Sequence, residues 1–258
     1  AVDMPTQARG GSGANLLDNA YWAIPECIIN QRGVSGTIAA KGYFIDRWKL
    51  ADGSVTITDD GLLLNGTMVQ ILETDPGQEV TASYLTDDGV FPAEYDSETR
   101  TFAITADGAL LRAAKLEVGS VQTLAHQDED GNWVLNDPPP DKAVELLKCQ
   151  RYYYRPGRSY YTSGYVTSSA RQYYMPIELP APMRTTPTVS MDSYVARTAS
   201  GYSKRTGSSP AIPNNLYTSS YDANRCQVLL VDAIESAVDT NNTTMAYQIN
   251  WLTLDADL

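Results

Sequence analysis

Asx-Gly pairs recur through the first half of this chain, at Asp60-Gly61, Asn65-Gly66, Asp88-Gly89, Asp107-Gly108 and Asp130-Gly131. Such pairs supply the positive φ angles that tight hairpins need. Between them run short alternating or apolar stretches: Ser54–Thr58, Leu62–Leu72 with a break at Asn65-Gly66, Glu79–Tyr84, Arg100–Thr105 and Leu110–Val118. Many short strands with turn signals at this spacing predict a mostly β chain of sandwich or barrel type.

One helix is expected. It starts after Pro138-Pro139-Pro140, with Asp141 as its cap and Ala143, Leu146, Leu147 and Gln150 at helical spacing. Beyond it the β pattern resumes at Met175–Leu179, Thr188–Met191, Cys226–Val231 and Thr244–Leu254, with Ser200–Asn224 read as a long polar excursion. In the last strand Met245, Tyr247, Ile249 and Trp251 alternate on one face. The Gly10-Gly11-Ser12-Gly13 run marks a flexible lead-in. The expected organisation is a lead-in over 1–14, a jelly-roll-like β sandwich over 15–136, a short helix and linker over 137–156 and a C-terminal β domain over 157–258. The fold is thus two β-sandwich modules joined by a short helix.

Charge divides the chain in the same place. Residues 1–150 hold 10 basic and 23 acidic side chains, against 9 and 8 in residues 151–258. An acidic half without a basic footprint argues against nucleic acid as a partner. Cys27, Cys149 and Cys226 have no paired spacing, so they are expected as reduced thiols and not as a disulfide framework. With no C-x-x-C and the single histidine His126, no metal site and no cofactor are expected. No run reaches membrane-spanning length and no signal-peptide pattern is legible, so the expectation is a protein made in a reducing cytoplasm, without membrane insertion.

Tyrosine carries the functional signal. Thirteen of the seventeen lie in residues 151–258, and Tyr152, Tyr153, Tyr154, Tyr160, Tyr161, Tyr165, Tyr173 and Tyr174 bunch in one stretch among serine, threonine, glycine and arginine. Tyrosine offers a rigid face and a hydroxyl at low entropic cost, which is why binding loops favour it. Saccharide recognition needs those groups: a ring to stack on a pyranose, and guanidinium, amide or carboxylate groups for its hydroxyls. The candidate glycan-binding residues are Arg158, Tyr160, Tyr161, Tyr165, Arg171, Tyr173, Tyr174 and Tyr202. Lys204, Arg205, Asn214, Asn215 and Tyr217 rank second. Tyrosine and arginine equally mark subunit interfaces, so a contact between protomers stays open as the rival reading.

No catalytic residue is assigned. The acids of the first module sit beside glycine in turns, and sequence pairs no two of them across a cleft. No G-x-S-x-G elbow occurs, and His126 falls in the polar run Ala125–Gly131. Asp128, Asp130 and Asn132 copy the first half of a calcium loop, but Trp133 stands where the sharp-turn glycine belongs.

Three groups of segments carry a family resemblance. The first is Asn15-Leu16-Leu17-Asp18-Asn19, Ile29-Asn30-Gln31-Arg32-Gly33 and Gly42–Trp48; the second is Arg112–Gly119; the third joins Leu147–Tyr154 to Leu179–Val189. In this order they resemble phage and prophage tail-fibre receptor-binding proteins with a carbohydrate-binding-module-like N-terminal region and a C-terminal fibre domain. The resemblance covers most of residues 15–258 and brings no catalytic residues. It implies a non-enzymatic protein at the tip of a virion tail fibre that attaches to bacterial surface polysaccharide. It also implies homotrimers and contacts with other fibre or baseplate proteins. The alternatives are a structural tail or baseplate component, or a glycan depolymerase.

The residues of these segments have their own physical reading. Asn15, Asp18 and Asn19 are expected to satisfy backbone groups where the domain starts. On a strand, Asp46 and Trp48 would share one face and Arg47 the other. Trp48 is read as core and Arg47 as an internal ion-pair partner, with a ligand contact as the alternative. Cys149–Tyr153 is expected to lock the helix exit against a sheet with Tyr152 or Tyr153 buried, and Pro182, Met183, Arg184 and Pro187 to form a rigid edge loop.

Overall fold

A computed structural model describes residues 13–156, 159–166, 170–185, 187–198, 205–208, 216–222, 225–233 and 245–257; within 159–178 and 191–251 it describes backbone course and strand pairing alone. The chain is mostly β, and it divides after Cys149 into two units.

The first unit contains β1 (Thr37–Ile38), β2 (Gly42–Ile45), β3 (Trp48–Thr58), β4 (Gly61–Ile71), β5 (Val80–Thr86), β6 (Gly89–Pro92), β7 (Glu94–Asp96) and β8 (Thr101–Val118). These make an antiparallel sheet in the order β1-β3-β4-β8-β5-β6, with β2 on β3 and β7 on β8. A separate ribbon pairs β9 (Ala125–Gln127) with β10 (Trp133–Leu135), and α1 (Lys142–Gln150) follows.

The turn signals divide into two kinds. Asp59-Asp60 and Asp87-Asp88 are two-residue hairpin turns, closed by the pairs Thr58↔Gly61 and Thr86↔Gly89. Asn65-Gly66 and Asp107-Gly108, expected as breaks, lie inside continuous strands. Leu64 pairs with Ala109 and Asn65 with Asp107, so Gly108, at φ +70°, is the unpaired extra residue of a β-bulge. The two strands expected at 100–105 and 110–118 are therefore one long β8. Its first part pairs with β4 and its last part with β5.

The core of this unit gathers Trp22, Phe44, Trp48, Leu50, Leu62, Met68, Phe102, Ile104 and Leu116. Trp48 stands edge-on to both Trp22 and Phe102, at centroid distances of 5.0 and 5.9 Å, in the geometry aromatic quadrupoles favour. Trp48 and Arg47 are fully or almost fully buried, which bears out the structural reading of both. Asp46-Arg47 is not strand, however. It is the tight turn between Ile45 and Trp48, with Arg47 at φ +71°. That geometry sends the guanidinium inward, where Nε donates to Asp18 Oδ2 at 3.2 Å and Nη2 to the Ile71 carbonyl at 2.7 Å. Burial pushes the Asp18 carboxyl above its ordinary pKa, and Arg47 pulls against that shift.

The polar residues of the N-terminal segments satisfy backbone groups. Asn15 donates to the Ala114 carbonyl and accepts from the N–H groups of Leu17 and Leu116, which ties the segment at Asn15 to the end of β8. Asn19 donates to the carbonyls of Ile29 and Asp46 and accepts from the Ile29 N–H, all at 2.8 Å. Asp46 in turn accepts from the backbone and side chain of Gln31. Buried backbone groups need partners, and these side chains supply them where no strand runs alongside.

Asp141 caps α1, accepting from the N–H groups of Ala143 and Val144 at 2.8 and 3.2 Å. The face that α1 buries is Glu145 and Cys149, while Val144 and Leu147 are exposed. Of the residues at helical spacing, Leu146 and Gln150 are half-buried and Ala143 and Leu147 are exposed. The helix docks through a polar bond instead, the Asn19 N–H donating to Glu145 Oε2 at 2.9 Å. Cys149 is buried and its thiol pKa is driven well up by desolvation.

The second unit holds β11 (Tyr153–Tyr154), β12 (Ser159–Val166), β13 (Ala170–Glu178), β14 (Thr188–Thr198), β15 (Arg205–Ser208), β16 (Leu216–Asp222), β17 (Arg225–Ala233) and β18 (Met245–Asp255), in the order β15-β14-β18-β12-β13-β17-β16 with β11 on β18. The polar stretch 200–224 was expected as an excursion, yet it contributes β15 and β16. Pairing with β14 and β17 recruits them despite their weak hydrophobic pattern. Tyr152 and Tyr153 are both buried. Around them the Arg184 N–H donates to the Arg151 carbonyl at 2.8 Å, the Ala256 N–H to the Tyr152 carbonyl at 2.7 Å, and Arg184 Nε to the Ala256 carbonyl at 3.1 Å. Residues 151–152, Arg184 and Ala256 of the second unit are thus tied together. Among the described residues no helix is long and apolar enough to cross a membrane.

Candidate functional site

The tyrosine-rich segment forms β12 and β13, which pair at Tyr165↔Gln172 and Val166↔Arg171. β12 also pairs with β18, placing Tyr160 opposite Ile249 and Tyr161 opposite Gln248. β13 pairs along its length with β17, placing Tyr173 opposite Leu230 and Tyr174 opposite Leu229. Cross-strand partners share a sheet face, and alternate residues change face. Tyr161, Tyr165 and Tyr174 therefore fall in one row. Tyr160, Arg171 and Tyr173 fall in the other. Leu252 and Leu254 of β18, both fully buried, belong by parity to the row of Tyr161. The row of Tyr160, Arg171 and Tyr173 lies on the opposite face. Arg158 and Tyr202 lie outside the described residues.

The first unit contains a cleft that the sequence did not single out. It has a volume of about 400 Å3 and is lined by Asp87, Arg112, Asn132 and Trp133 over a floor that includes Leu85 and Leu135. Four separate elements bring these groups together: the β5–β6 turn, β8, the β9–β10 turn and β10. Arg112 Nε donates to Asp87 Oδ1 at 2.7 Å, and Nη1 donates to the Asp60 carbonyl. The Asp60 carboxylate stands 3.9 Å from Nη1. The half-buried Trp133 packs on a small cluster of Leu85, Ala113, Leu124 and Ala125. Its indole lies over Gly89, close enough that a Cβ there would stand 3.4 Å from Nε1.

Comparison with family models, curated proteins and solved structures finds no match for this chain.

The β9–β10 turn that carries Asn132 is held by Asp128. Its Oδ1 accepts from the backbone N–H groups of Asp130 and Asn132, at 3.0 and 2.8 Å. The Asn132 backbone N–H chiefly holds the Asp128 carboxyl below its ordinary pKa. The partial calcium-loop pattern thus serves a turn, and among the described residues no cluster of His, Cys, Asp and Glu could hold a metal ion. His126 is exposed on β9, with Nδ1 2.6 Å from Asn136 Oδ1.

A second cavity of about 380 Å3 is lined by Asn15, Tyr21, Lys115, Asp137, Glu145 and Lys148 among others. Its charged groups are engaged in holding the unit together. Lys115 Nζ donates to Asp137 at 2.8 Å and to Thr123 at 3.0 Å, and Lys148 Nζ donates to Glu145 at 2.5 Å. A lysine held by two acceptors and a carboxylate that anchors Asn19 are poorly placed to act as nucleophile or base.

Signals for the missed cleft were weak. Trp133 was visible as an aromatic residue in an acidic, polar run, but nothing in linear order joins it to Asp87 or Arg112.

Proposed function

We propose that this chain is a non-enzymatic receptor-binding protein of a phage tail fibre, which attaches the virion to bacterial cell-surface polysaccharide. The ordered segments that resemble such proteins motivate the reading. The observation that carries it is the alternation along β12 and β13, which puts Tyr160, Arg171 and Tyr173 at strand positions of one parity, opposite to that of the buried Leu252 and Leu254. Tyrosine rings can stack on sugar rings, and a guanidinium can bond their hydroxyls. The non-enzymatic part draws support from the buried carboxylates of the first unit. Asp46 holds Gln31, Glu117 accepts from the backbone N–H and hydroxyl of Thr123, and Glu145 holds Asn19.

The test is whole-cell binding by purified protein, with Tyr160→Ala, Arg171→Ala and Tyr173→Ala combined in one variant. Retained folding with binding lost upholds the reading. Unchanged binding removes this row as the receptor site. Absence of any cell binding by the unmodified protein, together with assembly onto fibre or baseplate proteins, replaces it with the structural-component reading. Release of reducing ends from wall polysaccharide would make the chain a depolymerase.

A further inference from the structure

We infer that the Trp133–Arg112–Asp87 cleft of the first unit is a separate binding site for a neutral saccharide. The cleft shares no residue with the tyrosine row. Its groups are the complement of a pyranose: an indole for the apolar ring face, a guanidinium to donate, and a carboxylate and an amide to bond hydroxyls. Its size suits one or two sugar rings more than an extended chain.

Charge selects a neutral ligand. Arg112 is the cation of the cleft, and two carboxylates already face it, Asp87 at 2.7 Å and Asp60 at 3.9 Å. An anionic sugar would have to compete with Asp87 for the guanidinium and then face both acids. A vicinal diol makes no such demand. One hydroxyl donates to the carboxylate while its neighbour accepts from the guanidinium, and the ion pair stays intact. Asp87 engages Nε of Arg112 and the Asp60 carbonyl engages Nη1, so the sugar hydroxyl is assigned to Nη2.

The cleft is also pre-organised, which lowers the ordering cost of weak sugar binding. Packing on Leu85 and Ala113 fixes Trp133, two acids fix Arg112, and the Asp128 turn fixes Asn132.

The test titrates the full chain with glucose, galactose, rhamnose, N-acetylglucosamine and their disaccharides, and with glucuronic acid, following the Trp133 indole N–H by NMR. Assignment comes from Trp133→Phe. A saturable shift with at least one neutral sugar, in the millimolar range, is the expected result. Asn132→Ala and Asp87→Asn, on the exposed rim, should each weaken it about tenfold or more, as loss of a hydrogen bond to a charged or well-placed group does. The variant lacking Tyr160, Arg171 and Tyr173 should bind the sugar as before, so failure of either site is read apart from the other. No saturable shift with any sugar overturns the proposal. A stronger response to glucuronic acid than to every neutral sugar overturns the ligand class. An equal response in the rim variants overturns the location.

Discussion

Gly53 and Gly66 face each other across β3 and β4 as a directly opposed pair, and neither position has room for a side chain. A Cβ on Gly53 would overlap the Asn65 carbonyl, and one on Gly66 the Asp52 carbonyl. Both residues have positive φ, +77° and +133°. Gly66→Ala therefore meets both a steric and a conformational penalty. The expected loss is roughly 1–3 kcal/mol, the usual cost of forced overpacking, read as a lower midpoint in urea unfolding of the first unit's transition. An unchanged midpoint would show that the strands separate there without cost.

Removal of the Glu145 carboxylate strands the Asn19 N–H beneath α1. Glu145→Ala is expected to cost about 1–3 kcal/mol, the penalty of an unsatisfied buried donor. Hydrogen exchange is the more specific readout, because the Asn19 amide should lose protection together with the amides of α1. Protection retained at Asn19 would contradict the bond observed here.

The cap of α1 can be tested apart from its docking. Asp141→Ala removes the acceptor of two N–H groups at the helix start and should cost about 1 kcal/mol. Asp141→Asn keeps an acceptor and should recover most of that loss. If both variants destabilise equally, charge at the helix N-terminus and not hydrogen bonding is the source.

Asp128 gives a pH dependence with a definite sign. Hydrogen bonds in the folded turn, first among them that from the Asn132 backbone N–H, lower its pKa below the ordinary 3.8. A depressed folded pKa means stabilisation of the turn that is fully present above 3.8 and lost as pH falls through the lower folded value. A carboxyl 13C titration should place the Asp128 midpoint below 3.8, and the Asn132 amide should move with the same midpoint. A midpoint at or above that value would remove the Asp128 bonds as the support of the turn.

Much of this architecture is decided by local chemistry and was open to inspection in linear order. Alternation and Asx-Gly turns determined the mostly β character. Proline followed by Asp141 determined where α1 begins. The polar residues of 15–19 determined that the start of the domain would be spent on satisfying backbone groups. Each of these rests on a residue and its near neighbours.

What only the tertiary structure decided depends on partners far away in the chain. Asp107-Gly108 has the chemistry of a turn and of a bulge alike, and β4 alongside it selects the bulge. Residues 205–208 and 216–222 lack a hydrophobic pattern of their own and become strands through edges offered by β14 and β17. The face that α1 buries follows from the Asn19 N–H, 126 residues upstream of Glu145. Strand register likewise separates tyrosines that look equivalent in sequence, placing Tyr160 and Tyr161 in opposite rows. The cleft of Asp87, Arg112 and Trp133 exists only because β5, β8 and β10 converge. Convergence of distant segments leaves no trace in spacing, so it had to be seen.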